Sequence, residues 1–340
     1  MRETNRQWVL AERPAGRPTV ECFDLVEEAV PDPGPREVLV RTRYMSVDPY
    51  MRGRMRDADS YAEPWDVGEV MHAGVVGEVV ESNSPKWDAG DVVNGNLRWA
   101  DYAVADEDQL VAVDPERAPI STALGVLGMP GRTAYFGLLD VGEPKPGDTV
   151  LVSGAAGAVG SVVGQIAKHA GCRVVGVAGA DEKVHWLTGE LGFDEAINYD
   201  TTENLRAAVA AACPDGVDVY YDNVGGPITD AAFANLAVRA RVVVCGQISL
   251  YNAEERPTGP RQLGELITKR ARVEGVLVRD YVERYEEANE RLARWVGDGT
   301  VQYRETVTEG LENAPDAFLG LFDGVNVGKQ VVKVSEYEPG

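Results

Sequence analysis

Cysteine and histidine are scarce in this chain of 340 residues, and long hydrophobic runs are missing. The four cysteines and three histidines stand far apart, without the paired spacing of a zinc knuckle or a disulfide framework. No apolar run approaches the roughly 20 residues that a membrane helix needs, and the first residues lack the apolar core of a signal peptide. We therefore expect a cytoplasmic protein without a metal site and without a membrane partner.

Positive charge is also in short supply. Seven lysines and 26 arginines stand against 55 acidic residues, which leaves a net charge of −22. Such a field repels phosphates, so no nucleic-acid partner is expected. The acidity is spread along the whole chain, and an acidic, lysine-poor surface is typical of proteins that work in high salt, where ions screen self-repulsion. We hypothesise a halophile-like surface.

Glycine, by contrast, forms an informative motif near the middle of the chain. The apolar run 149–152 predicts a buried strand, and Gly154, Gly157 and Gly160 follow it at a spacing of three before a helical stretch to Lys168. A strand that turns tightly into a helix N-terminus presents backbone N–H groups and the positive end of the helix dipole. The motif therefore predicts a site for a dinucleotide pyrophosphate. Its mid-chain position indicates that a sizeable domain precedes it.

The predicted secondary structure divides the sequence into two parts. The first ~125 residues contain short β segments broken by proline and glycine, at 37–43, 73–81, 91–93 and 101–104, which favours a partly open β barrel. Later residues alternate between strands and helices, which builds a doubly wound parallel sheet, so the fold class is α/β. Its strands are predicted at 149–153, 172–178, 195–198, 217–222, 241–246 and 273–278, and its helices at 158–170, 182–191, 203–212, 228–238 and 283–296. Segments 301–307 and 329–334 are expected to return to the first domain.

The end of the second parallel strand indicates which dinucleotide binds. An NAD-specific domain usually has an acid at this tip, which holds the ribose 2′-hydroxyl. Here the strand ends in Val177-Ala-Gly-Ala180, and Lys183 follows shortly after. A small tip leaves space for a 2′-phosphate, and Lys183 would supply its counter-charge. The alternative is that Lys183 is a solvated helix residue. This pattern favours NADP(H).

Several segments together carry a family resemblance. They are Ser46-Val-Asp-Pro-Tyr-Met-Arg52, Gly128–Leu138, Ala156–Lys168, Asp181-Glu-Lys-Val184, Asn198-Tyr-Asp200, Tyr221-Asp-Asn-Val-Gly-Gly226, Cys245-Gly-Gln-Ile-Ser-Leu-Tyr-Asn252 and Asn326-Val-Gly-Lys329. Over nearly the whole chain, the sequence resembles the zinc-free branch of the medium-chain dehydrogenase/reductase superfamily, the NADP-dependent alkenal/alkenone reductases. This branch contains prostaglandin reductases (leukotriene B4 12-hydroxydehydrogenases) and plant double-bond reductases.

The resemblance implies an architecture and an assembly. A GroES-like substrate domain would comprise residues 1–128 and 302–340, and a Rossmann domain that binds NADP(H) would comprise residues 129–301. The family commonly forms homodimers by joining nucleotide-domain sheets edge to edge, and the apolar segment 273–278 would suit that contact.

The resemblance also assigns roles to single residues. Lys183 would bind the 2′-phosphate, Tyr199 would flank the adenosine, Asn326 would close over the cofactor, and Met129 would line the substrate pocket. The backbone of Ala156, Gly157, Ala158, Val159 and Gly160 would contact the pyrophosphate. The nicotinamide side would be held by Asn223, Cys245, Gly246, Gln247, Ile248, Ser249, Val276, Leu277 and Val278. From sequence alone, Asn223 and Asn326 also suit plain turns.

The implied chemistry is hydride transfer from NADPH to the β-carbon of a small α,β-unsaturated ketone or aldehyde. The resulting enolate needs a hydrogen-bond donor where negative charge develops, and Tyr50 and Tyr251 match positions that the family places near the substrate. Two alternatives stay open for these residues: Tyr50 as a packed core aromatic, and Tyr251 as a residue that orders its loop. The cofactor's ribose hydroxyl or water could then protonate the enolate.

Three other functions are compatible with parts of this pattern. A zinc alcohol dehydrogenase would need a cysteine near Val47 and a His-Glu pair around His72, but Ala73 follows that histidine, so the metal would lack ligands. An NADPH:quinone oxidoreductase of the same superfamily is the main alternative. A non-catalytic NADPH-binding protein is a more distant one. Turnover of an enone compared with a quinone would separate these possibilities.

Overall fold

The structure is a computed structural model and describes residues 4–255 and 257–337, so the predicted domain limits at residues 1 and 340 lie outside the described residues. In chain order the strands are β1 (Thr4–Leu10), β2 (Phe23–Ala29), β3 (Glu37–Ser46), β4 (His72–Ser82), β5 (Val92–Arg98), β6 (Tyr102–Asp106), β7 (Val111–Ala112), β8 (Thr149–Ser153), β9 (Arg173–Ala178), β10 (Glu195–Asn198), β11 (Val217–Asp222), β12 (Leu236–Val244), β13 (Arg272–Gly275), β14 (Glu305–Glu309) and β15 (Lys329–Lys333). The helices are α1 (Met51–Arg54), α2 (Met129–Phe136), α3 (Gly160–His169), α4 (Asp181–Gly189), α5 (Leu205–Ala212), α6 (Gly226–Phe233), α7 (Leu263–Lys269), α8 (Tyr285–Gly297) and α9 (Ala314–Gly320).

The chain divides into two compact units. The first comprises the chain up to Leu124, then Glu305–Asn326 and the residues from Gln330 onward. The second comprises Gly125–Arg304 and Val327–Lys329. Each unit has its own buried apolar core.

The first unit is built on a seven-stranded sheet of order β14-β15-β3-β4-β5-β7, in which β6 also pairs with β3. Its central pairs, β15 with β3, β3 with β4 and β4 with β5, are antiparallel. Aromatic rings close the core beside it: Phe23 stacks on Trp99 and both meet Phe318 edge-on. A second antiparallel pair, β1 with β2, stands outside this sheet.

The second unit is a six-stranded parallel sheet of order β10-β9-β8-β11-β12-β13. Because β8 is the first of these strands in the chain, this is the doubly wound order 3-2-1-4-5-6. Every residue of β8 is buried, as expected for a central strand covered on both faces. The strand order reverses between β8 and β11. Doubly wound sheets bind nucleotides at such a point, at the carboxyl ends of the strands.

Three predicted elements of this unit have other boundaries in the structure. The strand predicted over 241–246 spans Leu236–Val244. The helix predicted over 228–238 ends at Phe233, because Leu236 is buried and already pairs with Val217 of β11. The strand predicted over 273–278 ends at Gly275, and a 3₁₀ turn begins at Val278. The β1–β2 pair, α7 and α9 were not predicted.

Within the described ranges, no helix has the length and apolarity that crossing a bilayer requires.

Candidate functional site

The loop between β8 and α3 has the form that a pyrophosphate site needs. Gly154 has a φ of 58°, and the Gly157 N–H donates to the Gly154 carbonyl at 3.0 Å. A Cβ on Gly160 would lie only 2.4 Å from the Gly154 carbonyl oxygen and 2.8 Å from the Cα of Ala155, so only glycine fits there. In the described structure no side chain caps the N-terminus of α3. The amides and dipole at this end of the helix are therefore suited to an anion, and the predicted contacts Ala156–Gly160 lie here.

Gly328, in the C-terminal part of the chain, forms backbone contacts with this loop. The Gly328 N–H donates to the Ala156 carbonyl at 2.8 Å, and Gly328 forms a parallel bridge with Gly157. A Cβ on Gly328 would lie 1.9 Å from the Arg304 carbonyl oxygen, which explains the glycine. Asn326, predicted to close over the cofactor, lies two residues before Gly328 in the sequence. The contact made by Gly328 was not predicted, although its Asn-Val-Gly-Lys motif was noted.

The tip of β9 has little space for a side chain of its own. The Tyr199 N–H donates to the Ala178 carbonyl at 3.0 Å, and a Cβ on Gly179 would lie 2.6 Å from the Tyr199 hydroxyl. Lys183 stands half-buried in the first turn of α4. Its partial burial lowers its pKa, an effect that the carboxylates of Asp200 and Glu182 oppose.

The first acid after this tip is already engaged. Asp181 accepts a hydrogen bond from the side-chain amide of Asn198 at 2.6 Å. The tip therefore offers a cation at Lys183 and a phenol at Tyr199, the two groups predicted to meet the adenosine end.

A buried carboxylate organises the carboxyl end of β11. Asp222 is fully buried, and its side chain accepts hydrogen bonds of 2.7–3.0 Å from the hydroxyls of Ser153, Tyr220 and Thr229 and from the backbone N–H groups of Val224 and Gly225. Five donors satisfy a carboxylate without a counter-ion. The turn that follows is thereby held in one conformation, with Gly225 at a φ of 75°. Sequence reasoning missed Asp222, although it stands in the Tyr-Asp-Asn-Val-Gly-Gly motif.

Asn223 is oriented by the end of the neighbouring strand β8. Its backbone N–H donates to the Ser153 hydroxyl at 2.9 Å, and its side-chain NH₂ donates to the Ser153 carbonyl at 2.7 Å. These two bonds fix the amide plane and make Oδ1 the atom suited to accept a bond from a ligand. The turn interpretation and the binding interpretation of Asn223 are therefore compatible.

The loop after β12 packs on this turn. The N–H groups of Cys245 and Gly246 both donate to the Asp222 backbone carbonyl, and the Ser249 hydroxyl donates to the Val224 carbonyl at 2.6 Å. Ile248 begins the short 3₁₀ turn of this loop. The structure thus brings the predicted nicotinamide-side residues 245–249 next to Asn223.

Two side chains of this loop are protonated at neutral pH. Burial raises the pKa of the Cys245 thiol to about 12, so it is neither a nucleophile nor a metal ligand as it stands. Burial also raises the pKa of Tyr251, whose phenol oxygen accepts a bond from the Gln247 N–H at 3.2 Å. Tyr251 therefore has the protonation state of a hydrogen-bond donor.

The segment after β13 lies along the same sheet. The Val276 N–H donates to the Val244 carbonyl at 3.0 Å, and the Val278 carbonyl accepts a bond from the Tyr285 hydroxyl at 3.1 Å. Leu277 stands between them, so the three predicted carboxamide contacts form one anchored stretch.

Tyr50 and Met129 were predicted to meet the substrate. Tyr50, in the first unit, precedes α1 and packs partly buried against the core, and burial beside the Asp48 carboxylate raises its pKa. It is therefore a packed aromatic and also a protonated phenol. Met129, in the second unit, begins α2, where its carbonyl accepts a bond from the Thr133 hydroxyl at 2.8 Å.

No group of three or more histidine, cysteine or acidic side chains within residues 4–255 and 257–337 is arranged to hold a metal ion.

Comparisons with known proteins agree with this architecture. A family model described as the N-terminal domain of oxidoreductase matches residues 6–113, and one described as zinc-binding dehydrogenase matches residues 158–294. The chain is 48% identical to the NADPH-dependent curcumin reductase of Escherichia coli (strain K12) over 339 residues, which cover 98% of both chains. It is 44% identical to the 2-alkenal reductase (NADP(+)-dependent) of Nicotiana tabacum over 338 residues, again 98% of both.

A solved structure supports the fold and the cofactor. The crystal structure of CurA in complex with NADPH from Vibrio vulnificus superposes with a TM-score of 0.93 at 45% identity, covering 98% of this chain and 100% of that one. The predicted fold class, a GroES-like domain joined to a Rossmann domain, and the predicted cofactor NADP(H) are thereby confirmed. The chain is an NADP-dependent oxidoreductase that belongs to the zinc-free branch of the medium-chain dehydrogenase/reductase superfamily.

Proposed function

We propose that this protein reduces the carbon–carbon double bond of α,β-unsaturated ketones and aldehydes with NADPH. The observation that carries the proposal is the Tyr251 phenol, protonated and held by the Gln247 N–H within the loop that packs on Asn223. It places a neutral hydrogen-bond donor beside the residues proposed to hold the nicotinamide. The activities named for the curcumin and 2-alkenal reductases point in the same direction.

The geometry of the second unit supports most of the proposed cofactor contacts. The amides of 156–160 would hold the pyrophosphate, Lys183 the 2′-phosphate and Tyr199 the adenosine. The Oδ1 of Asn223 and the loop 245–249 would hold the nicotinamide ribose and carboxamide, with 276–278 beside them, and Asn326 would cover the cofactor. Bound NADPH would supply the hydride for the β-carbon.

The side chains would then stabilise charge on the substrate. As the β-carbon gains the hydride, negative charge develops on the carbonyl oxygen, and a phenol donating to that oxygen lowers the barrier. Tyr251 and Tyr50 are proposed for this role, because a phenol is protonated at neutral pH and burial raises the pKa of both further. The proton for the α-carbon would come from such a phenol, from the cofactor's ribose hydroxyl or from water. Met129 is proposed to contact the apolar part of the substrate.

The test is a substrate screen that follows NADPH oxidation with 2-alkenals, alkenones and quinones at high salt. NADPH carrying deuterium at its transferable position should deliver the label to the β-carbon of a saturated ketone or aldehyde, as read by mass spectrometry. Formation of an allylic alcohol would refute the proposal. Faster turnover of quinones than of any enone would favour the quinone oxidoreductase, and binding without oxidation would favour a non-catalytic protein.

We also propose that the protein forms homodimers through the edge of the parallel sheet. Strand β13 is the last strand of that sheet, its four residues are exposed, and Val273 is 41% exposed. An edge strand with an exposed valine between two charged residues can pair with a second copy through its backbone. Sedimentation should give a dimer for the unaltered protein and a monomer for Val273→Asp. A monomer for the unaltered protein would contradict the proposal.

A further inference from the structure

Asp200 lies at the tip of β9, although it follows β10 in the sequence. Asp200 follows the end of β10, and its Oδ2 would lie 3.2 Å from a Cβ on Gly179. Its backbone N–H is fixed by the side-chain oxygen of Asn198 at 3.0 Å, while its side chain is exposed. The tip therefore carries an acid from β10, although β9 itself ends without one.

This carboxylate also acts on Lys183, the cation of the same tip. Burial lowers the pKa of the Lys183 ammonium, and the carboxylates of Asp200 and Glu182 oppose that effect. Asp200 also acts on the phenol of Tyr199, the other residue of the proposed adenosine site. The Asp200 carboxylate thus influences the pKa of both Lys183 and Tyr199, the groups proposed to bind the 2′ end of the adenosine ribose.

The two nicotinamide dinucleotides differ only at that 2′ end. A 2′-phosphate carries about −1.5 to −2 charges near neutral pH. It would compete with Asp200 for Lys183, and the Asp200 carboxylate would repel it. A 2′-hydroxyl is a neutral donor, and a carboxylate at a strand tip is the group that accepts its hydrogen bond in NAD-specific domains. The two effects change the cofactor preference in the same direction.

We propose that Asp200 is a specificity-determining residue that reduces the preference of this enzyme for NADPH over NADH. It does so by sharing Lys183 with the 2′-phosphate and by accepting a bond from the 2′-hydroxyl. This inference rests on the proposed role of Lys183 in binding the 2′-phosphate. It adds that the same site accommodates NADH better than the lysine alone would allow.

The experiment measures dissociation constants by calorimetry at low ionic strength for NADPH and NADH, and for their adenosine fragments with and without the 2′-phosphate. The protein variants are Asp200→Asn and Asp200→Ala. The matched control is Asp215→Asn, which removes the same charge from an exposed turn before β11, at the opposite end of the strands.

Neutralising Asp200 should raise the ratio of the NADH to the NADPH dissociation constant roughly tenfold, because its attraction for Lys183 and its repulsion of the 2′-phosphate are both removed. The fragment pair should shift alike, and Asp215→Asn should shift the ratio less than about twofold. At molar salt, where the Debye length is about 3 Å, most of the gain should disappear.

Three results would overturn the inference: an unchanged ratio in both folded Asp200 variants, an equal shift in Asp215→Asn, or a gain undiminished by salt. These binding readouts are independent of the proposed reaction. A shifted ratio in an enzyme without enone turnover would refute the function and keep the role of Asp200, and the reverse pattern would do the opposite.

Discussion

Replacing Gly160 by alanine tests whether the shape of the glycine loop is what binds the cofactor. The new Cβ would lie 2.4 Å from the Gly154 carbonyl oxygen and 2.8 Å from the Cα of Ala155. Both are backbone atoms, so neither can swing away as a flexible side chain would. The loop and the first turn of α3 must separate by about 1 Å to restore ordinary contact.

The size of the effect follows from that displacement. Overpacking of this kind costs about 1–3 kcal/mol, which for a domain of this size corresponds to a fall in melting temperature of roughly 5 °C. The same shift moves the amides that would meet the pyrophosphate. Losing one charge-assisted hydrogen bond costs about 1.5–3 kcal/mol, so affinity should fall roughly ten- to hundredfold. NADPH and NADH should weaken equally, because both carry the pyrophosphate.

Gly157→Ala is the matched control, since its Cβ would meet a single atom, the Gly154 carbonyl oxygen, at 3.2 Å. Scanning calorimetry of the cofactor-free proteins should show a melting temperature within about 1 °C of the unaltered protein for Gly157→Ala and the full loss for Gly160→Ala. Calorimetric titration then gives both dissociation constants. The reasoning is refuted if Gly160→Ala melts and binds like the unaltered protein, or if both variants lose stability alike.

Three further outcomes are expected. Burial lowers the pKa of Lys183 below its ordinary value of 10.5. Since the protonated ammonium is the form that attracts phosphate, the affinity for NADPH should be full below the lowered pKa and should fall as the pH rises through it. The affinity for NADH, titrated in parallel, should change little. Tyr251→Phe should lower kcat with an enone roughly ten- to hundredfold and change the dissociation constant of NADPH less than about threefold, and unchanged single-turnover rates would remove Tyr251 from the chemistry. Because the chain carries a net charge of −22, its melting temperature should rise from low to molar salt, and a maximum at low salt would contradict the halophile-like surface.

Much of the parallel sheet was predictable because its strands satisfy one strong physical requirement. A strand buried on both faces is largely apolar, and Thr149–Ser153 and Val217–Asp222 were predicted with the boundaries that the structure has. Helix ends were harder. The stretch 234–238 is rich in alanine and leucine and favours a helix locally, but pairing of Leu236 beside Val217 outweighs that preference.

Contacts between residues that are distant in the sequence were not predictable in the same way. Asp200 reaches the tip of β9 only because β10 lies next to β9, and adjacency of strands is a property of the folded sheet. Gly328 likewise touches Ala156 across a long interval of sequence. A motif read along the chain identifies the residues of one loop and leaves out those that the fold adds to it.

Asp222 shows that a sequence motif can identify a site while the structural role of one of its residues goes unrecognised. Within the Tyr-Asp-Asn-Val-Gly-Gly segment, Asn223 is the residue with an amide suited to a ligand, yet Asp222 is the better-bonded residue, with five donors and no exposure. Its backbone carbonyl also receives the N–H groups of Cys245 and Gly246. One residue therefore holds the ends of β11 and β12 in register. A buried carboxylate left with fewer donors would cost several kcal/mol, so the loops have one stable arrangement. In it, the Ser153 hydroxyl donates to Asp222 and accepts from the Asn223 N–H, and Asn223 is oriented by Ser153.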